Sequence, residues 1–68
     1  MLAQEVREVL NNGTYGRDNG AVVIGSEGSS IDEKDVEVYF LVRGFSSTVV
    51  RASDGELHIH YSRREQNA

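Results

Sequence analysis

The sequence predicts an α+β fold, with one N-terminal helix packed on a three- to four-stranded antiparallel β-meander. Two observations carry that expectation. Apolar residues recur at helical spacing near the N-terminus. The stretch 35–64 then holds two apolar runs and one alternating run, separated by a glycine and by an Asp-Gly dipeptide.

The helix is expected over residues 2–10. Leu2, Val6, Val9 and Leu10 follow the i, i+4, i+7, i+8 pattern of one apolar face, with Glu5, Arg7 and Glu8 opposite. Asn11-Asn12-Gly13 reads as its stop, with Gly13 as the left-handed cap. So short a helix is marginal alone and needs a sheet to cover.

Residues 13–20 form a glycine-rich loop, or an irregular hairpin closing at Asn19-Gly20. Their glycine spacing matches neither a Walker loop nor a dinucleotide fingerprint. Residues 21–24, Ala-Val-Val-Ile, read as a short buried strand that adds to the meander. Residues 25–34 read as a polar connection. Its Ser30-Ile31-Asp32-Glu33 has the form of a capping box, opening a single turn at most before the next strand.

Residues 36–43 are expected to be the first strand of the meander, with Val36, Val38, Phe40 and Val42 inward and Glu37, Tyr39, Leu41 and Arg43 outward. Asp54-Gly55 predicts a two-residue type I′ turn. That turn sets Val50 opposite Ile59 and Thr48 opposite Tyr61 on the core side, and Val49 opposite His60 and Arg51 opposite His58 on the other. On the last strand Leu57, Ile59 and Tyr61 point inward, and His58, His60 and Ser62 outward. Residues 65–68 are expected to be a frayed tail.

The 68 residues form one expected domain, and a chain of this size buries only about 60% of its unfolded surface. There is no cysteine, so neither a disulfide nor a thiolate site can be built. No apolar run approaches the roughly 20 residues of a membrane span, and the N-terminus lacks the features of a signal peptide. A cytoplasmic protein without membrane attachment is expected.

The net charge is −4. Glu27, Asp32, Glu33, Asp35 and Glu37, against Lys34, account for all of it. This acidic stretch is the candidate partner-binding segment, presenting carboxylates to a protein with a basic surface. Reversing Asp32, Glu33 and Asp35 to lysine is expected to weaken that binding and leave the fold intact. Tyr39, Leu41 and Val49, on the sheet face away from the helix, are the candidate self-association surface of a homodimer.

Three other sets of residues bear on function. Arg43, Arg51, Arg63 and Arg64 beside the tyrosines suggest a nucleic-acid platform, an alternative disfavoured by the acidic balance. His58 and His60 share one strand face, the geometry of two metal ligands, but a third is required and a solvated strand face explains them as simply. The serines sit where turns and strand edges want them, and no catalytic set emerges. No cofactor, metal or catalytic residue is predicted. The leading expectation is a non-catalytic protein-binding module, an inhibitor or adaptor of the kind phages or mobile elements encode.

Overall fold

In a computed structural model that describes residues 2–64, the chain is an α+β fold of two helices and a three-stranded antiparallel sheet. The tail at 65–68 lies outside the described residues. Helix α1 spans Gln4–Thr14, strand β1 Asn19–Ile24, a short 3-10 helix Ser26–Ser30, helix α2 Glu33–Val42, strand β2 Phe45–Arg51 and strand β3 Leu57–Arg63. The sheet order is β1-β3-β2, so the last strand lies in the centre and the arrangement is not a meander.

Helix α1 runs one turn past its expected stop. Thr14 Oγ1 donates to Leu10 O at 2.9 Å, which extends the C-terminal turn. Gly13 sits inside the helix because Val22 crosses there; a Cβ at Gly13 would lie 2.6 Å from Val22 Cγ2. Gly16, at φ 70°, supplies the left-handed residue that the sequence assigned to Gly13. Leu2 and Leu10 are buried and Val6 packs against them, but Val9 is 47% exposed.

Gly13 gives a direct prediction. Alanine normally stabilises a helix interior by about 1 kcal/mol relative to glycine. Here the new methyl overlaps Val22, so Gly13→Ala is expected to destabilise by about 1–2 kcal/mol in urea denaturation. Val22 is itself a core residue, so Val22→Ala costs stability alone, but in that background the further cost of Gly13→Ala should be smaller. A Gly13→Ala variant more stable than the parent would show that α1 does not press on Val22.

Residues 36–43 are not a strand but the body of α2. Asp32 is its N-cap, and its Oδ1 accepts a hydrogen bond from Lys34 N at 2.8 Å. Glu33 and Asp35 occupy the first turn, where carboxylates oppose the helix dipole favourably. Val36, Tyr39 and Phe40 face the core at i, i+3, i+4. The period-2 pattern of valines arose because α2 is apolar outside as well: Val38 and Leu41 are each 50% exposed and Val42 75%. The polar connection with a single turn is therefore replaced by a 3-10 helix and a ten-residue α-helix.

The hairpin β2–β3 also departs from expectation, by one residue. Ala52 N donates to Glu56 O at 2.8 Å and Gly55 N to Ala52 O at 3.0 Å, leaving Ser53-Asp54-Gly55 as a three-residue loop. Gly55 has φ 91°, while Asp54 keeps negative φ, so the turn is not type I′. Val49 now faces Ile59, and Val50 faces His58. The faces of β3 stand as expected: Leu57, Ile59 and Tyr61 are buried, and His60 and Ser62 are exposed. Those of β2 are inverted, because a one-residue slip flips every side chain. Val49 and Arg51 lie on the core side, and Thr48 and Val50 are solvent-facing.

Both helices cover the same face of the sheet, α1 on β1 and α2 on β2. Between helix and sheet lies an aromatic cluster. Phe40 stacks on Tyr61 with centroids 5.4 Å apart and planes 20° from parallel, and Phe45 meets Tyr61 edge-on at 5.4 Å. Tyr61 Oη donates to Gly13 O at 2.8 Å, which ties β3 to α1. β1 joins β3 in continuous register from Asn19↔Ser62 to Ile24↔Leu57, with no hairpin at Asn19-Gly20.

Candidate partner-binding groove

One concavity stands out for its composition. It lies between α1, the 3-10 helix and the start of α2, with a volume of about 450 Å³. Apolar side chains line its floor: Leu2, Val6 and Val9 from the N-terminal segment, Ile24 from the end of β1, and Ile31 before α2. Four carboxylates line it as well: Glu5, Glu27, Asp32 and Asp35.

Each wall has a local cause. The amphipathic stripe of α1 supplies apolar residues on two turns, with Glu5 at its border. Asp32 is held by its capping bond and Asp35 by its place in the first turn of α2. The intervening segment is fixed by Arg51. Its Nη1 donates to Gly28 O at 3.0 Å and its Nη2 to Ile31 O at 2.6 Å, while Nε pairs with Glu33 Oε1 at 2.9 Å. Arg51 thus clamps the 3-10 helix and the N-terminus of α2 to β2. Ser30 Oγ donates to Glu27 O at 3.1 Å, closing the short helix on itself.

Of the acidic residues singled out in the sequence, the groove gathers Glu27, Asp32 and Asp35. Glu33 turns away to Arg51. Glu37 lies on the flank of α2 beside Lys34 and β2. Glu5 was missed, as was the apolar floor. Both depend on α1 meeting the start of a helix where the sequence suggested a loop. Reversing Asp32, Glu33 and Asp35 together would remove an N-cap and an ion pair, so that triple variant is not a test of binding alone.

The residues proposed for self-association do not share a face. Tyr39 is buried in α2, and its hydroxyl lies 3.4 Å from Arg7 O as a donor. Val49 packs against the core from β2. Leu41 alone is prominently exposed.

The four arginines are divided too. Arg51 is spent on the clamp. The Arg43 guanidinium stacks 3.7 Å from the Tyr39 ring centroid, and Arg63 pairs with Asp18 at 2.9 Å while lying over Phe45. Arg64 Nη2 reaches Leu41 O at 3.3 Å. Arg43, Arg63 and Arg64 therefore cluster at the C-terminal end of α2, the end opposite the groove.

His58 and His60 lie on the uncovered side of the sheet, and His58 Nε2 is 3.2 Å from Glu56 Oε1. Among the described residues, no group of three or more His, Asp or Glu side chains is placed to hold a metal. Among them, too, no helix is long and apolar enough to cross a membrane. No family profile, curated protein or solved structure matches this chain.

Proposed function

We propose that this protein is a small non-catalytic binding module, an inhibitor or adaptor, which receives a basic amphipathic segment of a protein partner in the groove between α1 and α2. One observation carries the reading: an apolar floor of Leu2, Val6, Val9, Ile24 and Ile31 is bordered by Glu5, Glu27, Asp32 and Asp35. Such a surface complements a helix or strand that presents leucine-like side chains flanked by lysine or arginine. The apolar contact supplies affinity and the carboxylates supply orientation and association rate. Nucleic-acid binding is the weaker alternative, since Arg51 is engaged in three hydrogen bonds and Arg63 is paired with an acid.

The test uses the exposed rim residues Glu5 and Glu27, which are neither N-caps nor ion-pair partners of Arg51; both lie in first turns, so the variant's fold is checked by circular dichroism. A synthetic lysine-leucine amphipathic peptide is titrated into the protein, with backbone amide shifts followed by NMR. Shifts are expected at Val6, Val9, Glu27 and Ile31. Glu5→Lys combined with Glu27→Lys is expected to weaken binding at least about tenfold at low salt, and less at high salt where screening shortens the reach of charge. Equal affinity for the double variant, or shifts confined to the arginine end of α2, would remove the groove from consideration.

A further inference from the structure

Charge is divided between the two ends of this molecule. The register of β3 sets the ends: Leu57 lies beside Ile24 and Arg51, and Arg63 beside Phe45. The first end holds the groove with Glu5, Glu27, Asp32 and Asp35, and also the β2–β3 loop with Asp54 and Glu56. The second end carries Arg17, Arg43, Arg63 and Arg64, all exposed, against Asp18. Spread evenly, a net charge of −4 would hold copies of the chain apart. Divided in this way, it leaves the two ends opposite in sign.

The arginine end is apolar as well as basic. Leu41 and Val42 lie in the last turn of α2 and are 50% and 75% exposed. Arg43 follows as the C-cap. Arg64 returns to the same place: its backbone N donates to Gly44 O at 2.9 Å and its Nη2 to Leu41 O at 3.3 Å. Arg63 lies over Phe45, the residue after Gly44. Exposed aliphatic side chains are thus bordered by guanidinium groups. The groove at the other end, with its apolar floor and its carboxylates, is complementary to this tip in both respects.

On the groove reading proposed above, we infer that its occupant is a second copy of this chain, whose arginine tip seats in the groove, so that the protein associates with itself head to tail. Leu41 and Val42 meet the apolar floor, and Arg43, Arg63 and Arg64 face the carboxylates. The contact joins unlike surfaces, so no two-fold axis is needed. An assembly always keeps one tip and one groove free, and growth does not stop at two copies.

Sedimentation velocity of the full chain from about 5 µM to about 500 µM brackets micromolar affinity. The weight-average mass is expected to rise with concentration past that of a dimer. Raising salt from about 50 mM to about 500 mM should weaken association at least about threefold, as screening shortens the reach of charge. Leu41→Gln with Val42→Gln removes the apolar tip and keeps the groove. Glu5→Lys with Glu27→Lys spoils the groove and keeps the tip. Each variant alone should associate at least about tenfold more weakly, the second even though it lowers the net charge. Mixed in equal amounts, the two should form a pair with one intact contact and nothing larger. Amide shifts of the parent chain give a readout without any substitution. Amides of Val6, Val9 and Ile31 and those of residues 41–44 should move together as concentration rises. A monomer across the range, a parent that stops at the dimer, shifts at one end alone, or mixed variants that stay apart would each overturn the proposal. If a variant unfolds, the shifts of the parent still decide. The lysine-leucine peptide keeps the two readings distinct, because Leu41→Gln with Val42→Gln should bind it as the parent does. A monomeric parent that still takes the peptide in the groove would remove the self-contact and leave the groove standing.

Discussion

Phe40→Ala is expected to remove the largest share of the protein's stability of any single truncation. Phe40 is fully buried and touches three other rings: it stacks on Tyr61 at 5.4 Å and meets Tyr39 at 5.6 Å and Phe45 at 6.1 Å edge-on. Truncating a buried phenylalanine costs about 3–5 kcal/mol, from lost transfer energy and from the cavity that remains. A domain of 68 residues holds only about 3–10 kcal/mol in total, at roughly 0.05–0.15 kcal/mol per residue. The neighbours cannot refill the space cheaply. Phe45 is anchored on an edge strand, and Tyr61 is fixed by its hydrogen bond to Gly13. Phe40→Leu keeps most of the volume and should stay folded with a loss of about 1–2 kcal/mol. Urea unfolding followed by circular dichroism checks both. A Phe40→Ala variant within about 1 kcal/mol of the parent would mean that α2 does not seat this ring against β3, and the aromatic cluster would have to be abandoned.

The sequence was most legible where one signal had no competitor. On β3, alternation of Leu57, Ile59 and Tyr61 with His58, His60 and Ser62 identified the faces correctly, because β3 is the central strand and its two sides differ sharply. The N-terminal stripe likewise marked α1 through Val6 and Leu10, although the helix begins at Gln4 and Leu2 packs from the segment before it. At 36–43 two periods overlapped. Val36, Val38, Phe40 and Val42 suit a strand, while Val36, Tyr39 and Phe40 suit a helix, and β-branched residues favour the first locally. The outcome turned on Asp32, which caps the helix, and on packing that only the tertiary structure supplies. At Asp54-Gly55 the dipeptide fitted two loops of different length, and the choice between them inverted β2. The candidate groove inherited both ambiguities. Its acidic residues were visible as a charge run, but their convergence with α1 required the second helix, and the arginine that holds the segment was placed on the wrong side of β2.

That arginine provides the second large effect. Arg51→Ala is expected to cost about 2–3 kcal/mol. Three donors are lost at once, to Glu33 Oε1, Gly28 O and Ile31 O. The two carbonyls are partly buried, and a polar group left without a partner costs about 1–3 kcal/mol where water cannot replace the bond. The ion pair adds little of this, since both side chains reach solvent and exposed pairs contribute at most about 1 kcal/mol. The loss is therefore expected to change little with salt. Arg51→Lys separates charge from geometry. A lysine can still approach Glu33, but a single ammonium group cannot span the carboxylate and two carbonyls that the planar guanidinium reaches together. Lysine should recover less than half of the stability. Binding adds a further readout. Gly28 and Ile31 flank the groove segment, so releasing them should loosen the wall that carries Glu27. At a temperature where Arg51→Ala remains folded, its affinity for the lysine-leucine peptide should fall, and amide exchange should accelerate first between Gly28 and Ile31. If Arg51→Lys matches the parent in urea and in peptide affinity, charge alone holds the segment, and the three-point clamp is refuted.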